Sequence, residues 1–76
     1  MNIREELLDI FAQVGIFIDE YEYDEILQID SIQFVNVILE IEETFTITVD
    51  EEYMLYERLN SLSAFENMIM KTINFD

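Results

Sequence analysis

The chain contains no cysteine, no histidine and no proline, and its only glycine is Gly15. Without cysteine there can be no disulfide and no thiolate metal site, and its absence fits a reducing compartment. So few turn-forming residues disfavour an all-β fold and favour helices. No stretch approaches the roughly 18 apolar residues of a membrane span, and the N-terminal residues do not resemble a signal peptide. We therefore expect a cytoplasmic location by default.

Positive charge is almost as scarce, because 3 lysines and arginines oppose 18 acids and give a formal net charge of −15. Such a surface repels nucleic acid and anionic membranes. The acids either favour partners with basic protein surfaces or only keep a small domain soluble. Apolar residues make up 51% of the chain, which argues against disorder. The length of 76 residues suits one small domain, residues 1–76, with a marginal core.

Apolar residues recur at helical spacing along most of the chain. A first helix is predicted from about Ile3 to Val14, followed by Gly15 as a left-handed terminator. A second is predicted over residues 31–45, a short third from Asp50, and a last one after residue 60 or 61. The sequence therefore predicts an all-α fold, a four-helix bundle with a short third helix and a long first loop.

Three details of this scheme concern the helix start and the connections. Asn2 is expected to cap the first helix, with Glu5 as its capping-box partner. The first loop, residues 16–29, is rich in apolar groups and should pack across the core, with a helical turn over residues 24–27. The β-branched residues 46–49 are expected to be extended.

The second helix has two apolar faces on a helical wheel. The predicted core face consists of Phe34, Val37, Ile38, Ile41 and Phe45. On the other side Ile32, Val35 and Leu39 form a narrower apolar stripe, surrounded by Asn36, Glu40, Glu42 and Glu43. This second stripe is either a docking face for a basic partner or a surface that the long first loop covers.

Ser31 begins the second helix, and either Asp30 or Ser31 could cap it. If Asp30 is the cap, the Ser31 hydroxyl is free, and a phosphate attached there would meet unpaired backbone N–H groups. As a nucleophile Ser31 would need a base, but histidine and cysteine are absent and Lys71 lies in the distant last helix. Carboxylates are plentiful, but the sequence places none of them in an apolar pocket that would suit acid–base catalysis. We therefore predict that the chain is not an enzyme and has no catalytic residue.

Carboxylates are concentrated in Asp19-Glu20-Tyr21-Glu22-Tyr23-Asp24-Glu25. This stretch lacks the central glycine and the ligand spacing of a calcium-binding EF-hand loop. The sequence therefore predicts no specific metal site there, only loosely associated cations.

The segment Leu27-Gln28-Ile29-Asp30-Ser31-Ile32 resembles the Leu-Gly-x-Asp-Ser-Leu motif of the acyl carrier proteins, including the peptidyl and D-alanyl carriers. The resemblance continues through Val35, Leu39 and Glu42-Glu43 to Val49-Asp50-Glu51-Glu52, and spans nearly the whole chain. It implies that Ser31 carries 4′-phosphopantetheine, added from coenzyme A by a separate phosphopantetheinyl transferase. The arm would hold acyl or aminoacyl groups as thioesters.

We expect a monomer that visits a loading enzyme and synthases with basic docking surfaces. The residues expected to contact these partners are Asp30, Ile32, Val35, Asn36, Leu39, Glu42, Glu43 and Glu51. Gln28, Ile29 and Asn36 depart from the family pattern and indicate a specialised polyketide, nonribosomal peptide or fatty-acid-like pathway. The alternative from another class is an unmodified acidic interaction module or adaptor, which needs the acids and the stripe but not Ser31.

Overall fold

The computed structural model describes residues 2–54 and 58–73. Within them the chain forms three α-helices, α1 (Ile3–Gln13), α2 (Ser31–Phe45) and α3 (Leu62–Ile73). Two single 3₁₀ turns, Glu20–Glu22 and Glu51–Tyr53, lie in the connections. These ranges contain no strand, which confirms the all-α prediction, and no helix in them is long and apolar enough to cross a membrane.

The predicted short third helix is not confirmed as an α-helix. Asp50 precedes the 3₁₀ turn Glu51–Tyr53 at the expected position. Residues 55–57, into which that helix would extend, lie outside the described residues. The structure therefore supports a bundle of three α-helices with a helical turn in the second connection.

Local signals determine both ends of α1. The Asn2 side chain accepts a hydrogen bond from the Glu5 backbone N–H at 3.0 Å, as expected of an N-cap. After the helix, Gly15 adopts a left-handed φ of 87°. Its N–H donates to the Ala12 carbonyl, and the Ile16 N–H donates to the Phe11 carbonyl. This pair of bonds is a Schellman motif, which satisfies the last carbonyls of the helix.

The core lies where the three helices meet. Phe65 of α3 contacts Phe11 of α1 edge-on, with ring centroids 5.3 Å apart, and Phe34 of α2 at 6.0 Å. Such aromatic pairs add to the free energy gained by burial. The predicted core face of α2 is buried as a whole: Phe34, Val37, Ile38, Ile41 and Phe45. The connections each contribute buried side chains as well, namely Leu27, Val49 and Leu59.

The first connection packs across the core only in part. Leu27 is buried and Tyr23 is half-buried, but Phe17 and Ile26 are exposed. The predicted turn over residues 24–27 was wrong, since the helical turn lies at Glu20–Glu22. The Leu27 N–H donates to the Asn60 carbonyl at 2.7 Å. Because this long-range hydrogen bond occupies the Leu27 N–H, that group does not close a local turn.

The end of α2 also differs from expectation. Thr46, predicted as the first residue of an extended connector, has a left-handed φ of 55° and donates its N–H to the Glu42 carbonyl. A β-branched residue is rare in this region because its side chain crowds the backbone. The hydrogen bond that ends the helix therefore outweighs the preference of Thr46 for an extended backbone.

Arg4 joins three parts of the fold. Its guanidinium forms two 2.9 Å hydrogen bonds with the Glu66 carboxylate on α3 and lies 4.5 Å from the centroid of the Tyr23 ring. Hydrogen bonding to Glu66 raises the pKa of Arg4 above its ordinary value. One of the three basic residues of the chain thus holds the first connection and α3 against α1.

Candidate functional site

Asp30 caps α2, which settles the question that the sequence left open. Its carboxylate accepts a 2.7 Å hydrogen bond from the Gln33 backbone N–H. In return the Gln33 side-chain oxygen accepts from the Asp30 backbone N–H at 3.1 Å. This reciprocal capping box satisfies two backbone donors at the helix start. Gln33 also donates to the Val14 carbonyl at 3.2 Å and so ties the start of α2 to the end of α1.

Ser31 occupies the first helical position and is exposed. Its hydroxyl forms no hydrogen bond within residues 2–54 and 58–73, because Asp30 has taken the capping role. Ser61, which precedes α3, behaves in the opposite way: it is buried, and its hydroxyl accepts from the Ala64 N–H at 3.1 Å. The side chain of Ser31 is thus open to solvent, whereas the hydroxyl of Ser61 is engaged in the fold.

The first turn of α2 suits a phosphate group on Ser31. Residues 31–33 include no acid, and the adjacent Asp30 carboxylate is engaged by the Gln33 N–H. The helical hydrogen bonds begin with the Phe34 N–H donating to the Asp30 carbonyl at 2.9 Å, so the N–H groups of Ser31 and Ile32 precede the ladder. These donors and the positive end of the helix dipole stabilise negative charge.

An apolar cavity of about 400 Å³ lies beside Ser31. Phe34 and Val35 of α2 and Ile29 before the helix line it together with Met54. Met54 follows the 3₁₀ turn and was not among the candidate residues from the sequence. No sequence signal marks Met54, because only the tertiary fold brings the second connection to the start of α2.

The outer stripe of α2, defined by Ile32, Val35 and Leu39, is open to solvent. Their exposed fractions are 73%, 53% and 56%. The alternative that the first loop covers this stripe is therefore wrong. Exposed side chains contribute little to folding, and a contiguous exposed apolar patch is typical of a protein interaction site.

The polar residues predicted to contact partners differ in their exposure and in their hydrogen bonds within the fold. Asn36 and Glu43 are exposed on α2. Glu42 is half-buried, and its carboxylate accepts a 2.9 Å hydrogen bond from the Val49 backbone N–H. Glu51 is exposed but lies outside α2, in the second 3₁₀ turn. The structure thus places Ser31 and the stripe on α2, Asp30 directly before it and Glu51 on a neighbouring segment.

The described residues contain no group of three or more carboxylates placed to hold a metal ion. The acidic stretch Asp19–Glu25 folds as the first 3₁₀ turn and its flanks, and the Glu22 carboxylate accepts from the Asp19 backbone N–H at 3.0 Å. At least one of its carboxylates therefore has a structural partner.

Comparison with known proteins gives two matches. A family model described as "Phosphopantetheine attachment site" matches residues 18–69, which include all of α2. The chain is also 39% identical over 56 residues to an acyl carrier protein of Cyanophora paradoxa, across 74% of this chain and 52% of the relative. The match thus covers about half the length of that relative. No solved structure matches the chain.

Proposed function

Because the chain belongs to the acyl carrier protein family, we propose that it carries acyl or aminoacyl groups on a 4′-phosphopantetheine arm attached to Ser31. Covalently attached 4′-phosphopantetheine is the cofactor of this family. Once attached, the arm supplies a terminal thiol that holds the cargo as a thioester. The observation that carries the proposal is the exposed Ser31 hydroxyl, freed by Asp30 at the start of α2.

In this proposal, residues near Ser31 hold the attachment site in position. Asp30 and Gln33 hold the first turn in place through their capping box, which keeps Ser31 at the helix tip. The N–H groups of this turn favour a phosphate on Ser31. The cavity lined by Phe34, Val35 and Met54 offers an apolar surface beside the attachment point, and we infer that it shelters part of the arm or its cargo.

The chain itself is a substrate and a carrier, not a catalyst. Activation of the Ser31 hydroxyl requires a base within hydrogen-bond reach. The chain has neither histidine nor cysteine, and the carboxylate next to Ser31, that of Asp30, is engaged with the Gln33 N–H, so we assign that base to the phosphopantetheinyl transferase. The loading and acyl-transferring chemistry belongs to further partner enzymes.

We propose that these enzymes dock on the outer stripe and its acidic surroundings. The stripe offers apolar contact area close to Ser31, and α2 carries three glutamates and no basic residue. A partner with basic residues around an apolar patch is therefore complementary. The contact residues assigned to this surface are Asp30, Ile32, Val35, Asn36, Leu39, Glu42, Glu43 and Glu51.

Two finer assignments accompany this proposal. The departures at Gln28, Ile29 and Asn36 support a specialised pathway, of the polyketide, nonribosomal peptide or fatty-acid-like kind. We also propose that the segment that begins at Asp50 corresponds to the short third helix of a four-helix bundle, and that residues 1–76 act as one carrier domain.

Mass spectrometry of the modified chain tests the attachment site. The chain is incubated with coenzyme A and a broad-specificity phosphopantetheinyl transferase, and its intact mass is measured. We expect a gain of one phosphopantetheine group that is lost in Ser31→Ala and kept in Ser63→Ala, the matched control. Absence of the gain, or a gain that persists in Ser31→Ala, would refute the assignment.

The exposed stripe also fits the second candidate, an unmodified acidic adaptor. That function predicts partner binding that is indifferent to Ser31→Ala and lost in Leu39→Asp, with no mass gain under the same conditions. A carrier predicts the mass gain together with the sensitivity to Leu39→Asp.

A further inference from the structure

The first connection exposes apolar side chains on a part of the surface separate from the stripe of α2. Phe17 is 82% exposed and Ile26 is 64% exposed. Both line a groove of about 310 Å³, here called the first-loop groove, together with Glu22, Glu25 and Gln33. Ile16 and Ile18 pack against the core on either side of Phe17. The backbone thus turns Phe17 outward between two inward-facing neighbours.

Several contacts fix the groove in this conformation. The Leu27 N–H donates to the Asn60 carbonyl at 2.7 Å, and the Ser63 N–H donates to the Tyr23 carbonyl at 2.9 Å. The Tyr23 ring lies under the Arg4 guanidinium, 4.5 Å from its central carbon. The connection is therefore held to α3 and α1, so a partner that binds the groove would not have to order it first.

The charge around the groove selects the kind of occupant. Its rim includes Glu22 and Glu25, which belong to the Asp19–Glu25 stretch with five acids and no basic residue. A second copy of the chain would bring another net charge of −15, and nucleic acid and anionic membranes are repelled in the same way. The complementary occupant is an apolar side chain flanked by lysine or arginine.

The groove and the Ser31 cavity lie on different sides of the first turn of α2. Gln33 lines the groove, whereas Ser31 lines the cavity. Residues two apart on an α-helix are rotated by about 200°, so their directions differ by about 160°. A segment bound in the groove would therefore leave Ser31 and the outer stripe open to an enzyme.

We propose that the first-loop groove is a second docking surface, which binds a basic protein segment with an apolar anchor while enzymes use α2. Phe17 and Ile26 contact the anchor, and Glu22 and Glu25 pair with the flanking basic residues. Binding in the groove does not require the group on Ser31, and only the simultaneous use of α2 by enzymes rests on the proposed carrier function.

Nuclear magnetic resonance titration with a defined probe tests the proposal. The probe is a short synthetic peptide of leucine and lysine, and its control has serine in place of every leucine. With the isotope-labelled full chain, we expect saturable shifts in the amides of residues 15–28. The control peptide, which keeps only the charge, should bind these residues about tenfold more weakly or worse.

Matched variants locate the site. Phe17→Ser and Ile26→Ser should each weaken the shifts in residues 15–28 by about tenfold, whereas Leu39→Ser should affect only shifts on α2. Both groove residues are exposed, so both variants should fold, which a thermal unfolding curve verifies. Shifts confined to α2, or shifts in residues 15–28 that survive both groove variants or occur equally with the control peptide, would overturn the proposal.

The same titration separates this proposal from the carrier function. Ser31→Ala cannot carry an arm but should bind the peptide at residues 15–28 with unchanged affinity. A chain that is not modified at Ser31 can therefore still bind the peptide in the first-loop groove, and a modified chain can still fail to bind it there.

Discussion

The core face of α2 (the inner face) and its outer stripe (the outer face) carry similar apolar side chains, but those of the core face are buried and those of the stripe are exposed. Ile41 on the inner face is fully buried, whereas Leu39, two residues earlier, is 56% exposed. At the helix start the same division separates neighbours, since Asp30 is engaged in a capping box and the Ser31 hydroxyl forms no hydrogen bond with any described residue. Residues that the fold does not need are thus gathered along one side of the helix. This is the arrangement expected if that side serves other proteins.

The largest difference in the free energy of unfolding is expected between two variants that each shorten an aliphatic side chain, one on each face of α2. Ile41→Ala removes buried methyl groups and leaves a cavity, which should lower the free energy of unfolding by about 2–5 kcal/mol. Leu39→Ala should change it by less than about 0.5 kcal/mol. Urea denaturation of both variants measures this. Comparable losses for the two would mean that the outer face is part of the core after all.

A smaller difference is expected at the helix start. Asp30→Ala removes the cap and should lower the free energy of unfolding by about 0.5–2 kcal/mol. Ser31→Ala, next to it, should cost less than about 0.5 kcal/mol because its hydroxyl forms no hydrogen bond within the part of the chain that the structure describes. The same denaturation curves decide this. If Ser31→Ala is as costly as Asp30→Ala, the Ser31 hydroxyl takes part in capping and is not free.

The smallest difference concerns two adjacent acids. Glu42→Ala leaves the buried Val49 without the acceptor for its N–H, and we expect a loss of about 1 kcal/mol. Glu43→Ala removes an exposed charge from a chain of net charge −15 and should be neutral or slightly stabilising. Equal effects in thermal unfolding would show that Glu42 belongs wholly to the docking surface.

Local chemistry made parts of this fold predictable. The bounds of α2, residues 31–45, follow from its apolar periodicity and from the acid before Ser31. The same holds for the Asn2 cap and for Gly15, whose left-handed φ ends α1. The candidate site was predictable to the same degree, because Ser31 and the outer stripe lie on one continuous helix.

Features that depend on distant contacts could not be read from the sequence. The turn in the first connection was misplaced because the bond from Leu27 to Asn60 joins segments far apart in the chain. Met54 reaches the Ser31 cavity only through the path of the second connection. The outward orientation of Phe17 was missed for a related reason, since composition predicts that apolar residues pack but not which of them do.

The central claim is that the outer face of α2 serves partner enzymes and not the fold. The most direct measurement is the rate of phosphopantetheine transfer to Leu39→Ser, with Met70→Ser, an exposed apolar residue on α3, as the matched control. We predict that Leu39→Ser lowers kcat/KM by about tenfold, equivalent to about 1.4 kcal/mol, with its unfolding curve unchanged. Met70→Ser should change neither. Equal transfer rates for the two variants, or a loss of stability in Leu39→Ser, would contradict the claim.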